Sequence, residues 1–130
     1  MEKSRYSRTE ARIVYYTALL EERRYRESLG MVESLMNDFP DNHVFYGWAE
    51  AVFKKQQKFV EGARYMEDVA MRQSGRSPRL AQHALLGKAR LEHLAKRDNE
   101  ARKTLERVRA IGQPDRLIRQ EIAELEKKVT

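Results

Sequence analysis

The sequence predicts an all-α fold, a solenoid of helical hairpins with seven helices, and three observations predict it. The segment Tyr25-Arg26-Glu27-Ser28-Leu29 returns 34 residues later as Phe59-Val60-Glu61-Gly62-Ala63, with aromatic, glutamate and small residue in matching places. Apolar residues recur at spacings of three and four along most of the chain, the period of a helix with a buried face. Charged residues make up 35% of the sequence against only six glycines and three prolines, a balance that suits long helices better than an all-β domain. Self-similarity at a period near 34 residues is the mark of stacked helix–turn–helix units.

Taken in order, residues 1–8 are polar and basic without periodicity and are expected to be a flexible N-terminus. The first helix is placed at about 9–22. Its apolar residues Ile13, Val14, Tyr15, Tyr16, Ala18, Leu19 and Leu20 spread round most of the circumference, as in a helix packed on two sides. Arg23-Arg24 makes a turn, and a second helix over about 25–38 carries Leu29, Val32, Leu35 and Met36 on one face. Pro40 ends it, since the residue before a proline is pushed out of helical geometry. Asp41-Asn42 is a good N-cap for a third helix over about 42–56, with Val44, Phe45, Tyr46, Trp48, Ala49, Val52 and Phe53. After the polar turn Lys54–Lys58 comes a fourth, about 59–73, presenting Phe59, Ala63, Met66, Val69 and Ala70.

The clearest break is Ser74-Gly75-Arg76-Ser77-Pro78. There Gly75 is expected to supply a left-handed C-cap, and Pro78 the first turn of a fifth helix running to about residue 96. Asp98-Asn99 opens a sixth, about 99–111, with Ala101, Leu105, Val108 and Ile111. Gly112-Gln113-Pro114-Asp115 closes it and begins the last, about 114–129. That helix sets Leu117, Ile118, Ile122, Leu125 and Val129 against a charged face of Arg119, Glu121, Glu124, Glu126, Lys127 and Lys128, the pattern of a terminal cap with no outer neighbour. With no low-complexity linker between them, the helices are expected to form one domain over 9–130, with repeats at about 9–42, 43–76 and 77–111.

Catalytic and metal chemistry finds no foothold in the pattern. The three histidines, His43, His83 and His93, are never four apart, and no His-Glu-x-x-His is present. The glycines are scattered and form no phosphate loop, and paired glutamates such as Glu21-Glu22 read as ordinary helix-surface charge. The expectation is a non-enzyme with no metal and no cofactor. The absence of cysteine fits a cytoplasmic protein, or a periplasmic domain excised from a longer chain. No apolar run approaches the ~18 residues of a membrane span, and the first residues lack the apolar core of a secretory signal.

The hairpin pattern resembles the tetratricopeptide (TPR) repeat family. Aligned on Tyr25 and Phe59, the large residue closing the first helix of each pair is Leu19 and Phe53, and the small residue opening the second is Ser28 and Gly62. The later apolar positions are Val32 with Leu35 and Met66 with Val69; Pro40 stands at the family's terminal proline and Tyr46 at its tryptophan. Tyr16 and Glu50 depart from the small residues of that pattern, and Arg12 replaces the first tryptophan. In the third repeat Glu100-Ala101 arrives about five residues late, which predicts a longer fifth helix. The resemblance covers roughly residues 9–111.

It implies a right-handed array whose first helices line a concave groove that binds a protein or peptide segment. The positions at 34-residue spacing are Ile13, Thr17 and Leu20; Gly47, Ala51 and Lys54; Ala81, Leu85 and Lys88, each triplet on one helix face. Trp48, beside Gly47, reads either as a core residue wedged between hairpins or as an aromatic anchor in the groove. The family's clamp for chaperone C-terminal carboxylates needs Lys and Asn where this chain has Ile13, Thr17 and Ala51, so binding of that kind is not expected.

Charge supplies the rival readings. The net charge is +6, and from Arg72 to Arg109 eleven basic residues face Glu92, Asp98, Glu100 and Glu106 alone. That stretch is either solvated helix surface or an attraction to an acidic partner, and an RNA-binding helical repeat is the alternative function. Self-association through terminal helices is a third.

Overall fold

Helix ends decide where this chain turns, and three of its turns are built alike. In a computed structural model, which describes residues 5–130 and side chains from Arg8 onward, the elements are α1 (Arg5–Glu21), α2 (Tyr25–Asp38), α3 (Val44–Lys55), α4 (Phe59–Ser74), α5 (Pro78–Leu94), α6 (Asp98–Ile111) and α7 (Arg116–Val129). The described residues hold seven helices and no strand. Of the expected flexible segment, residues 5–8 belong to α1 and residues 1–4 lie outside the described residues.

Two residues past the ends of α1, α3 and α5 stands a residue in the left-handed region: Arg23 at φ 63°, Gln57 at φ 56° and Lys96 at φ 62°. The amide of that residue donates three residues back, to Leu20, Lys54 and His93. The next amide donates five residues back, Arg24 to Leu19, Lys58 to Phe53 and Arg97 to Glu92 at 2.8–3.0 Å. This double closure satisfies helix-end carbonyls that would otherwise be orphaned. The same second residue is then the N-cap of the following helix, at φ −90°, −97° and −110° with ψ 73°, 63° and 61°. Gly75, by contrast, stands at φ −86°, ψ −4° and is not the expected left-handed cap. There the amides of Arg76 and Ser77 both return to the Gln73 carbonyl, and the chain leaves α4 in a right-handed turn.

The other helix starts use side chains. Ser77 accepts from the Leu80 amide at 3.2 Å with Pro78 in the first turn of α5, and Asp115 accepts from the Ile118 amide at 2.9 Å. Asn42 accepts from the Val44 amide at 3.1 Å.

Two compact units divide the chain between Val52 and Phe53, within α3. In the first, α1 packs on α2, with Val32, Leu35 and Ala49 fully buried. The expected all-round packing of α1 is not seen. Tyr16 and Leu19 are buried, whereas Val14 and Tyr15 are 67% and 61% exposed, so α1 has one covered face. In the second unit α5 is the centre, packing on α4, α6 and α7, and eleven of its 17 residues are buried. Phe53, the large residue that closes the first helix of its pair, is half-buried against Tyr65 with ring centroids 5.2 Å apart. Gly62 lets that side chain approach; a Cβ there would meet Phe53 Cβ at 2.6 Å and Leu91 Cδ1 at 2.9 Å. α7 covers α5 and α6 with Ile118, Ile122, Leu125 and Val129. Leu117 lies outside that stripe, about 100° round the helix from Ile118, and is 44% exposed.

Candidate partner-binding site

The first unit holds an aromatic contact between the helices that carry the anticipated residues. Tyr16 of α1 stacks on Trp48 of α3, with centroids 5.0 Å apart and planes 14° from parallel. Its hydroxyl donates to the Trp48 carbonyl at 2.9 Å. Phe45 also meets the indole edge-on, with centroids 5.1 Å apart. Burial raises the Tyr16 phenol to about 12, because the phenolate would lose water without gaining a cation. Trp48 is thus half-buried: one face is spent on packing, and part of the indole stays at the surface. Of the other anticipated residues on α1 and α3, Ile13, Leu20 and Ala51 are half-buried, while Thr17 and Gly47 are exposed. The Thr17 hydroxyl donates back to the Ile13 carbonyl at 3.2 Å.

A separate cleft of about 700 Å³ lies between α1 and α2, lined by Arg8, Ala11, Arg12, Tyr15, Met31, Asn37 and Asp38. Its central cation is already engaged. Arg12 donates to Asp38 at 2.8 Å and to Ser34 at 2.7 Å.

The second unit places its share of the anticipated residues differently. Lys54 is exposed, but Ala81 and Leu85 have no exposed surface and are core. The reason is register. α5 has 17 residues where α3 has 12, so the third turn follows the second by 39 residues and not 34. Counting 34 therefore lands five residues short, about 140° round the helix and inside the unit. Counted back from the turn, the places of Thr17 and Leu20 fall to Arg90 and His93, both half-exposed. The displaced Glu100-Ala101 was the available signal.

That same shift sets Glu92 where the first two hairpins have Leu19 and Phe53. A carboxylate only 7% exposed must be paired. It accepts the Thr104 hydroxyl at 2.6 Å and the Lys88 ammonium at 3.0 Å. Lys88 also donates to Thr104 at 3.1 Å and lies 3.6 Å from Glu67. Glu67 in turn takes both arms of the Arg107 guanidinium, at 2.6 and 2.9 Å. These Arg107 hydrogen bonds, more than charge alone, hold the Glu67 carboxyl below the usual range and raise Arg107. The network borders a cleft of about 280 Å³ between α4 and α5, lined by Val60, Ala63, Arg64, Glu67, Lys88, Glu92, Ala95 and Arg97. So Lys88 does border a cleft, but its ammonium is already engaged inside the unit, by two hydrogen bonds and the Glu67 ion pair.

Much of the basic stretch from Arg72 to Arg109 is likewise engaged. Arg79 pairs with Asp115 at 2.7 Å, Arg90 lies 3.8 Å from Glu121, and Arg109 pairs with Glu126 at 2.7 Å, all three carboxylates lying beyond the end of α6. Among the described residues no three acidic, histidine or cysteine side chains gather as a metal site would require, and no helix is long and apolar enough to cross a membrane. Comparison with family models, with curated proteins and with solved structures returns no match.

Proposed function

We propose that this chain is a non-catalytic protein-interaction module, a helical-hairpin repeat of TPR-like design that holds a segment of a partner protein. The observation carrying the reading is the turn repeated at Arg23, Gln57 and Lys96, alike in backbone conformation and in its hydrogen-bond pattern while the side chains differ. Three copies of one hairpin turn, the first two at the 34-residue period, are what a stacked-repeat architecture requires. Repeats of this kind serve chiefly as binding surfaces.

The contact surface is assigned to α1 and α3, with Trp48 as the anchor. An indole stacked on Tyr16 and braced by Phe45 is rigid before a partner arrives, so little conformational entropy remains to be lost on binding. Ile13, Thr17, Leu20, Gly47 and Ala51 of the same two helices are assigned to that surface with it. Pairing of the basic stretch with carboxylates of α4 and α7 weighs against the RNA-binding alternative, which needs unspent cations along a phosphate track.

The test is selection of binders from a displayed library of natural protein segments, with Trp48→Ala as counter-screen. Selected segments should shift Trp48 emission and lose about 2 kcal/mol or more of affinity in the variant, the usual threshold of a hot spot. Binders indifferent to Trp48 would remove the anchor. Failure to select any segment, with single-stranded RNA bound in a steeply salt-dependent way, would overturn the reading.

A further inference from the structure

Two guanidiniums in the second unit have no use within it. Arg64 on α4 and Arg97 at the start of α6 line the same cleft, both are exposed, and among the described residues neither makes a hydrogen bond or ion pair through its side chain. The charges behind them cancel: Lys88 and Arg107 are matched by Glu67 and Glu92 at 2.6–3.6 Å. The cleft and its immediate partners therefore carry a net charge of two, all of it on Arg64 and Arg97.

We propose that the cleft between α4 and α5 receives a carboxylate side chain from an acidic segment of a partner protein, held between Arg64 and Arg97. This rests on the protein-interaction reading above and adds to it a partner chemistry and a second contact point. A cationic side chain is disfavoured, since it would have to displace Lys88 or Arg107 from carboxylates they already satisfy. Size favours one side chain over a free ligand: about 280 Å³ lies just under the ~300–1,000 Å³ of small-molecule sites. Val60, Ala63 and Ala95 offer apolar wall for the methylene stem, and the unpaired forks of two arginines suit a planar carboxylate. A nucleic-acid strand fits less well, because no aromatic side chain lines the cleft for a base to stack on.

The experiment is amide-resonance mapping of the full chain titrated with a short acetylated, amidated peptide of alternating glutamate and alanine. Controls are the same peptide with glutamine for glutamate, that glutamine peptide with a free C-terminal carboxylate, and a single-stranded oligonucleotide. The acidic peptide is expected to move resonances in the first half of α4 and at the end of α5, and the amidated glutamine peptide to leave them in place. Arg64→Gln with Arg97→Gln should weaken binding about tenfold at an unchanged melting midpoint, since both side chains are exposed, while Arg64→Lys with Arg97→Lys retains most of it. Shifts on another face, binding indifferent to the glutamine pair, a response only to the free terminal carboxylate, or occupancy by the oligonucleotide alone would each overturn the proposal. If library-selected segments still depend on Trp48 in any of those cases, the protein-interaction reading stands and only the acidic-side-chain site falls.

Discussion

Tyr16 occupies a place where the hairpin pattern calls for a small residue, and it keeps that place by making its bulk useful. The ring stacks on Trp48 and the hydroxyl satisfies itself on the Trp48 carbonyl, so neither its area nor its polar atom is wasted. Tyr16→Phe should cost about 1 kcal/mol, the net worth of a typical hydrogen bond, read from the urea midpoint near neutral pH. The phenol also predicts an alkaline limit. Its folded pKa is raised to about 12 from an ordinary value near 10, so the unfolded chain releases this proton first. The stability it contributes is complete below about pH 10 and drains away as pH rises from there through about 12. Denaturation midpoints across that window should fall more steeply in the parent chain than in Tyr16→Phe; parallel slopes would refute the assignment. Glu67 gives the opposite case. Hydrogen bonds from Arg107 hold its carboxyl below the usual range, so its contribution is present above the unfolded value near 4.3 and is lost as pH falls through the folded one. Arg107→Gln should therefore flatten the acid side of the stability curve while leaving its alkaline side alone.

At the scale of elements, the three hairpin turns set non-glycine residues in left-handed backbone, which costs each about 1–2 kcal/mol. Gln57→Gly should recover up to about 1 kcal/mol, the relief of strain less the extra chain entropy of glycine. Helix interiors give a sharper contrast. A Cβ at Gly30 meets nothing within 4 Å, so Gly30→Ala in α2 should stabilise by about 0.5–1 kcal/mol. Gly62→Ala should instead destabilise, because the new methyl would press on Phe53 Cβ and Leu91. Equal effects in thermal melts would mean that the α3–α4 approach is looser than described. These turns also show what was legible in the sequence and what was not. The α2 bounds, Pro78 in the first turn of α5 and the lateness of the third turn could be read from local pattern, since each depends on a few neighbouring residues. The left-handed residues could not, because Arg23, Gln57 and Lys96 carry no glycine-like signal and Gly75 carried a false one. The groove residues of α5 went astray for a related reason. A period was extended over a helix whose extra five residues rotate its surface, turning Ala81 and Leu85 inward. Nor could spacing reveal that Lys88, Glu92, Thr104, Glu67 and Arg107 would meet, since they come from three helices.

For the molecule as a whole, the last helix is where the energetics are most exposed to test. α7 brings Ile118, Ile122, Leu125 and Val129 into contact with α5 and α6 and leaves Arg119, Glu124, Lys127 and Lys128 at the surface. Its attachments are not only apolar. Asp115 caps it and pairs with Arg79, the backbone cap contributing most to its lowered carboxyl pKa, and Glu126 pairs with Arg109. Exposed pairs of this kind contribute little individually. The four buried side chains, at roughly 1.5–3 kcal/mol each by transfer, are comparable with the whole stability of a small domain, even if compactness of the unfolded chain trims the sum. A chain ending at Gly112 should therefore lose cooperative unfolding of α4–α6 or aggregate through the surface α7 covered. A milder variant separates loss of the cap from general misfolding. Ile122→Ala should cost about 2–5 kcal/mol, the range for a fully buried aliphatic, whereas Leu117→Ala, one residue off the buried stripe, should cost well under that. Urea midpoints of the two single variants decide the matter: if both are near neutral and the shortened chain melts like the parent, α7 is not a cap but an arm free to engage something else.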